Sequence, residues 1–87
     1  MRAAVDISMY PLIGEYRVPI RAFIDRLNTH PDMIVRTNAL ATQIWGELDH
    51  VMSVLTEEIA RAATDAPQLV FVMKVLPGIG PVPDAPG

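Results

Sequence analysis

Cysteine is absent from this 87-residue chain. Its absence excludes disulfides, thiolate zinc sites and cysteine nucleophiles. Basic charge is scarce: seven Lys and Arg stand against ten Asp and Glu, for a formal net charge of −3. No basic stripe runs through the sequence, so nucleic acid and anionic membranes are poorly matched partners. No run of about eighteen apolar residues exists, so no helix is expected to span a bilayer. The opening "MRAAVDISMY" reaches Asp6 before any long apolar run develops, unlike a secretory signal. A soluble, cytoplasmic protein is the expectation. No phosphate-binding glycine loop, Ser-His-Asp set or paired-carboxylate motif is identifiable. Ser8 and Ser53 have no evident base, nothing calls for a cofactor, and the chain is expected not to be an enzyme.

What is present is apolar. Hydrophobic residues make up 51% of the chain, a high share for one small domain. A chain this short buries a limited fraction of its surface. The excess points to a second surface in need of cover, most simply another copy of the chain.

Residues 4–10 alternate, with Val5, Ile7 and Met9 on one side and Asp6, Ser8 and Tyr10 on the other, the period of a strand. Pro11 lacks an amide hydrogen and is expected to end the ladder. Over residues 18–30, Ile20, Phe23, Ile24 and Leu27 form the apolar stripe of a helix. Pro19 suits its first turn, Arg21, Asp25 and Arg26 face water, and Pro31 is the stop. Residues 33–37 and 42–46 read as strands joined at "NALA", where Asn38 tolerates a left-handed backbone. Thr42, Ile44 and Gly46 share one face of the second of these strands; Gln43 and Trp45 share the other. Residues 48–63 regain helical spacing through Leu48, Val51, Met52, Leu55, Ile59 and Ala62. "QLVFVMKVL" (68–76) is apolar on both faces, which predicts a strand that is central or covered on both sides. The Pro- and Gly-rich "PGIGPVPDAPG" (77–87) reads as an extended tail. The chain thus divides into one α+β domain, residues 1–76, and a tail, residues 77–87.

The order β-α-β-β-α-β predicts a ferredoxin-like sandwich: a four-stranded antiparallel sheet with both helices on one face. Right-handed crossovers give the strand order 4-1-3-2. In that topology the end of the first strand (Met9, Tyr10), the end of the second (Thr37, Asn38) and the start of the third (Thr42) share one edge. If Ile44 faces the helices, Thr42 does too, with a hydroxyl at the mouth of an apolar layer. A planar, hydrogen-bonding small molecule suits such a place, with Ile20 and Ile59 as apolar cover.

Each residue also has a plainer reading. Thr42 fits a strand for its shape alone, Met9 fills a core gap, Tyr10 suits a subunit interface, and Asn38 serves the turn. The open face, carrying Asp6, Ser8, Gln43 and Trp45, has the mixed character of an interface between copies. Tyr16 lies in the loop above the edge. His30 is expected to be solvated at a helix end. His50, beside Glu47 and Asp49, invites a metal or acid–base reading, against the ordinary preference for acids at a helix start.

Together, "ISMYPL…EY…PIRAFIDRLN", "VRTNALATQIWGELDHVMSVL" and "VFVMKVL" resemble the thiamine-binding YkoF-like family over roughly residues 5–76. The resemblance implies a ferredoxin-like fold and non-catalytic binding of thiamine or its hydroxymethylpyrimidine part. It implies ligand contacts at Met9 and Thr42, the positions matching the family's Ser-Leu-Tyr-Pro strand end and its Ser-Thr pair, with Tyr10 and Asn38 as neighbours. Ala41 stands where family members often carry Ser. This chain also has one module where the namesake type has two, which implies assembly as a homodimer or homotetramer. A rival expectation is an oligomerisation module with no physiological small ligand.

Overall fold

The computed structural model describes residues 1–66 and 68–78. Six elements follow one another: β1 (Arg2–Pro11), α1 (Arg17–Leu27), β2 (Met33–Thr37), β3 (Thr42–Glu47), α2 (Leu48–Asp65) and β4 (Leu69–Pro77). The strands form one sheet in the order β2-β3-β1-β4, antiparallel throughout. This is the ferredoxin-like α+β sandwich that the alternating periods predict. The tail from residue 79 onward lies outside the described residues.

One face of the sheet is dry. Val5 and Ile7 of β1 and Ile44 of β3 meet Phe23 and Leu27 of α1 and Val51, Val54, Leu55 and Ala62 of α2. Phe71 of β4 joins them, its ring centroid 5.1 Å from that of Phe23 at a tilt of 52°, a favoured aromatic arrangement. Gly46, next to last in β3, leaves room for the close approach of α2 and of the Asp32 backbone. A Cβ there would stand 3.0 Å from Val51 Cγ2 and 3.2 Å from the Asp32 carbonyl oxygen.

Four expectations need correcting. Pro11 does not end the ladder, since it pairs with Leu69, and the Leu12 N–H continues on to the Gln68 carbonyl at 2.6 Å. The helix expected to reach residue 30 ends at Leu27. Asn28 Nδ2 donates to the Ile24 carbonyl at 2.9 Å and Thr29 Oγ1 to the Arg26 carbonyl at 2.7 Å. These short polar side chains take over the final carbonyls and offer the backbone an exit. Arg26 and His30 do not face open water; their side chains are 22% and 20% exposed and both bond Glu58. Finally, β4 is neither central nor covered. It is an edge strand with Val70, Val72, Met73, Val75 and Leu76 exposed.

Candidate functional site

The cleft at one edge of the sheet follows from a difference in strand length. β3 pairs with β1 only from Glu47 opposite Arg2 to Thr42 opposite Ile7. β4 follows β1 further, to Leu69 opposite Pro11. Ser8–Pro11 therefore have a strand on one side and none on the other. Main-chain groups alternate in direction along a strand. The Arg2 carbonyl accepts from the Gly78 N–H, so the even-numbered residues of β1 turn toward β4. Met9 and Pro11 turn toward the side that β3 has vacated. The missing N–H of Pro11 costs nothing there, and the N–H and C=O of Met9 meet no strand.

The vacated side opens into a cavity of about 510 Å³, within the range usual for small-molecule sites. Ile7 and Met9 form its floor, Ile20 and Ile24 of α1 one wall, Leu12 and Tyr16 the rim, and the loop Asn38–Ala41 the far side. Thr42 is 5% exposed, on the helix side with Ile44, and its hydroxyl lies 3.1 Å from that of Thr37. Either hydroxyl can donate, which leaves a spare proton or lone pair for a third group. None of the residues lining the cavity carries a charge.

Met9, Tyr10, Asn38 and Thr42 all border this one cavity. Asn38 has its side-chain oxygen committed to the turn, accepting from the Leu40 and Ala41 N–H groups at 2.8 and 3.0 Å. Tyr10 contributes from the rim and is 52% exposed. Thr37, Leu12, Ile24 and Leu40 also line the cavity and were not singled out from sequence. The Thr37 signal was legible, since it closes the hairpin directly opposite Thr42. Ile59, expected as cover, packs against the core instead.

The open face holds the other group. Gln43 Nε2 donates to Asp6 Oδ2 at 3.4 Å, and Ser8 Oγ to the Leu40 carbonyl at 3.4 Å. Asp6, Gln43 and Trp45 border a depression of about 410 Å³ with Lys74 and Leu76. The Glu47–Asp49–His50 grouping is dispersed. Glu47 binds the chain's amino terminus at 3.0 Å and Arg2 at 3.6 Å, and His50 Nε2 donates to the Pro31 carbonyl at 2.8 Å. The hydrogen bond and charge of the amino terminus hold the Glu47 carboxyl below its ordinary range. Among the described residues no cluster of three His, Asp or Glu side chains is placed to hold a metal.

The buried acid is one the sequence reading missed. Glu58 is 1% exposed on α2. Its carboxylate accepts from Arg26 Nε at 2.8 Å and from His30 Nε2 at 2.7 Å. Burial pushes its carboxyl up, but the hydrogen bonds from His30 and Arg26, together with the charges of Arg61 and Arg26, more than offset this, and it lies below the ordinary range. The three side chains clasp α1 to α2 and stand apart from the cleft.

No protein family matches the chain by sequence, and no curated protein matches it. Solved structures do. A protein from Streptococcus pneumoniae superposes with a TM-score of 0.82 at 23% identity, covering 94% of this chain and 90% of that one. A Thermotoga maritima protein proposed to act in thiamine biosynthesis or salvage gives 0.79 at 18% identity, covering 87% and 83%. A Methanocaldococcus jannascii protein without assigned function gives 0.75 at 24% identity, covering 85% and 77%. Each likeness is one of fold.

Proposed function

We propose that this chain binds, without chemically changing it, a small neutral heterocycle of the thiamine pyrimidine type in the cleft beside Met9 and Thr42. One observation carries the reading: the buried Thr42 hydroxyl, paired with that of Thr37 at the exposed end of β2, and an unpaired strand edge converge on an uncharged, largely apolar cavity. The N–H and C=O of Met9 offer a donor and an acceptor side by side. An aminopyrimidine edge offers the complementary acceptor and donor. Thr42 serves a further ring or hydroxymethyl group, and Ile20, Ile24 and Tyr16 cover the ring faces. Without a cationic side chain in the lining, phosphorylated forms are disfavoured against the free pyrimidine. The fold-level likeness to a protein proposed for thiamine biosynthesis or salvage supports the same chemistry, as does the YkoF-like resemblance.

Calorimetric titration with thiamine and with free hydroxymethylpyrimidine tests this. Saturable binding is expected, weakened about tenfold by Thr42→Val, the equivalent of one hydrogen bond of about 1.4 kcal/mol. Absence of binding, or binding indifferent to that change, would contradict it. The rival, an assembly module with no small ligand, draws support from the exposed Val70, Val72 and Leu76 on the open face. It expects a homodimer or homotetramer that Trp45→Asp splits, measured by light scattering, and no saturable ligand.

A further inference from the structure

The two lips of the cleft are held differently. The far lip, Asn38–Ala41, is well fixed. Asn38 Oδ1 accepts from the Leu40 and Ala41 N–H groups, the Asn38 N–H donates to the Ala41 carbonyl at 3.0 Å, and Ser8 Oγ donates to the Leu40 carbonyl. The near lip, residues 12–16, is tied only at its ends. The Leu12 N–H holds the Gln68 carbonyl, and Pro19 is buried in the first turn of α1. Between them, Ile13, Gly14 and Glu15 make no hydrogen bond among the described residues. Tyr16 stands at the N-cap of α1 without a capping bond from its side chain, and no acid lies in the first turn, so this helix end is weakly anchored. The Tyr16 ring meets the guanidinium of the adjacent Arg17, 5.8 Å from its centroid, which ties it to no other element. A Cβ at Gly14 would find nothing within 4 Å.

Both lips nevertheless hold apolar side chains out in water. Every residue from Leu12 to Val18 is exposed, Leu12 and Tyr16 line the cavity at its rim, and Leu40 on the far lip is 88% exposed. Apolar groups gathered around one opening mark a surface that something covers. We propose that residues 12–16 form a lid that closes over the occupied cleft, bringing Leu12 and Tyr16 against the ligand and against Leu40. The proposal rests on the cleft reading above and adds how that site holds and releases its ligand. Over an empty cleft, a closed lid would cover only water. With a flat ring seated beside Met9, closing removes the ring, Tyr16 and Leu12 from water together. The ligand thus binds the closed form more tightly and shifts the chain toward it. Gly14, the one glycine of the segment, supplies the backbone freedom for the movement.

Backbone ¹⁵N relaxation of the unmodified chain, with and without saturating free hydroxymethylpyrimidine, tests this. Order parameters of residues 13–16 are expected below about 0.6 in the free chain and at about 0.85 in the bound one, while residues 38–41 are rigid in both. In stopped-flow kinetics Tyr16→Ala, a change at a half-exposed side chain, is expected to release the ligand about tenfold faster with little change in association rate. Combined with Leu40→Ser, the loss of affinity is expected to fall about threefold short of the product of the two single losses, because the two side chains meet only in the closed form. Saturable binding that leaves residues 13–16 as mobile as before, or two losses that simply multiply, would overturn the lid and leave the cleft reading standing. A segment already rigid in the free chain would overturn it too. No saturable binding at all would overturn the cleft reading and the lid with it.

Discussion

Thr42 is an ordinary strand residue by composition and an unusual one by place. Its neighbours along the helix-facing side, Ile44 and Gly46, are buried, and the period of two carries Thr42 in with them. That inward direction was legible from sequence. Its hydroxyl partner was within reach of the same reading, since the expected strands end and begin at Thr37 and Thr42, but the 3.1 Å contact between the two hydroxyls needed the structure. Glu58 shows the reverse case. Its helical position among Val51, Leu55 and Ala62 placed it on the buried face, yet an acid there reads as surface until Arg26 and His30 are seen to converge on it. Its lowered folded value has a definite sign. The clasp contributes fully above the ordinary glutamate value of about 4.3, and is lost as pH falls through the lower folded value, because the unfolded chain takes up the proton first. Thermal unfolding of Glu58→Gln is expected to show a flatter slope with pH below about 4 than the parent. Glu58→Ala, leaving Arg26 and His30 without their partner, is expected to cost on the order of 3 kcal/mol at neutral pH. An unchanged acid slope in the Gln variant would remove Glu58 as the titrating group.

The elements show where pattern reading holds and where it fails. α2 and the two hairpin strands have clean periods, and their bounds emerge within a residue or two. α1 ends early because Asn28 and Thr29 compete for its last carbonyls, an effect of individual side chains that apolar periodicity does not register. β4 was misplaced for a physical reason. A strand apolar on both faces reads as covered, and among the described residues it is not. The rest of the described chain leaves Val70, Val72, Met73, Val75 and Leu76 exposed on its two faces. The junction of β3 with α2 tests the fold at this scale. Gly46→Ala pushes a methyl into Val51 and the Asp32 carbonyl. A loss of about 1–3 kcal/mol is expected, seen as a fall in Tm of several degrees, whereas Gly14→Ala, with open space around it, should leave Tm within about a degree.

For the whole molecule, strand-length mismatch places the cleft. β1 and β4 outrun β3 at one end, which opens the cleft. β4 also lies at the edge of the sheet, and among the described residues no strand pairs with its outer side. A ligand bound only by the folded state raises its stability, by about 2.7 kcal/mol at a hundred times Kd, so hydroxymethylpyrimidine is expected to raise Tm in the parent and less in Thr42→Val. The cleft's place was readable from topology alone, because β-α-β-β-α-β order brings Met9 and Thr42 to one edge. Its size and lack of charge needed coordinates. The most direct test is a ¹H–¹⁵N correlation spectrum recorded while free hydroxymethylpyrimidine is titrated in. The Met9 amide and those of Asn38–Thr42 are expected to shift with saturation at one ligand per chain, while amides around Glu58 stay still. Saturable binding that leaves the Met9 amide unmoved, or a spectrum with no change at all, would contradict the cleft as the binding site.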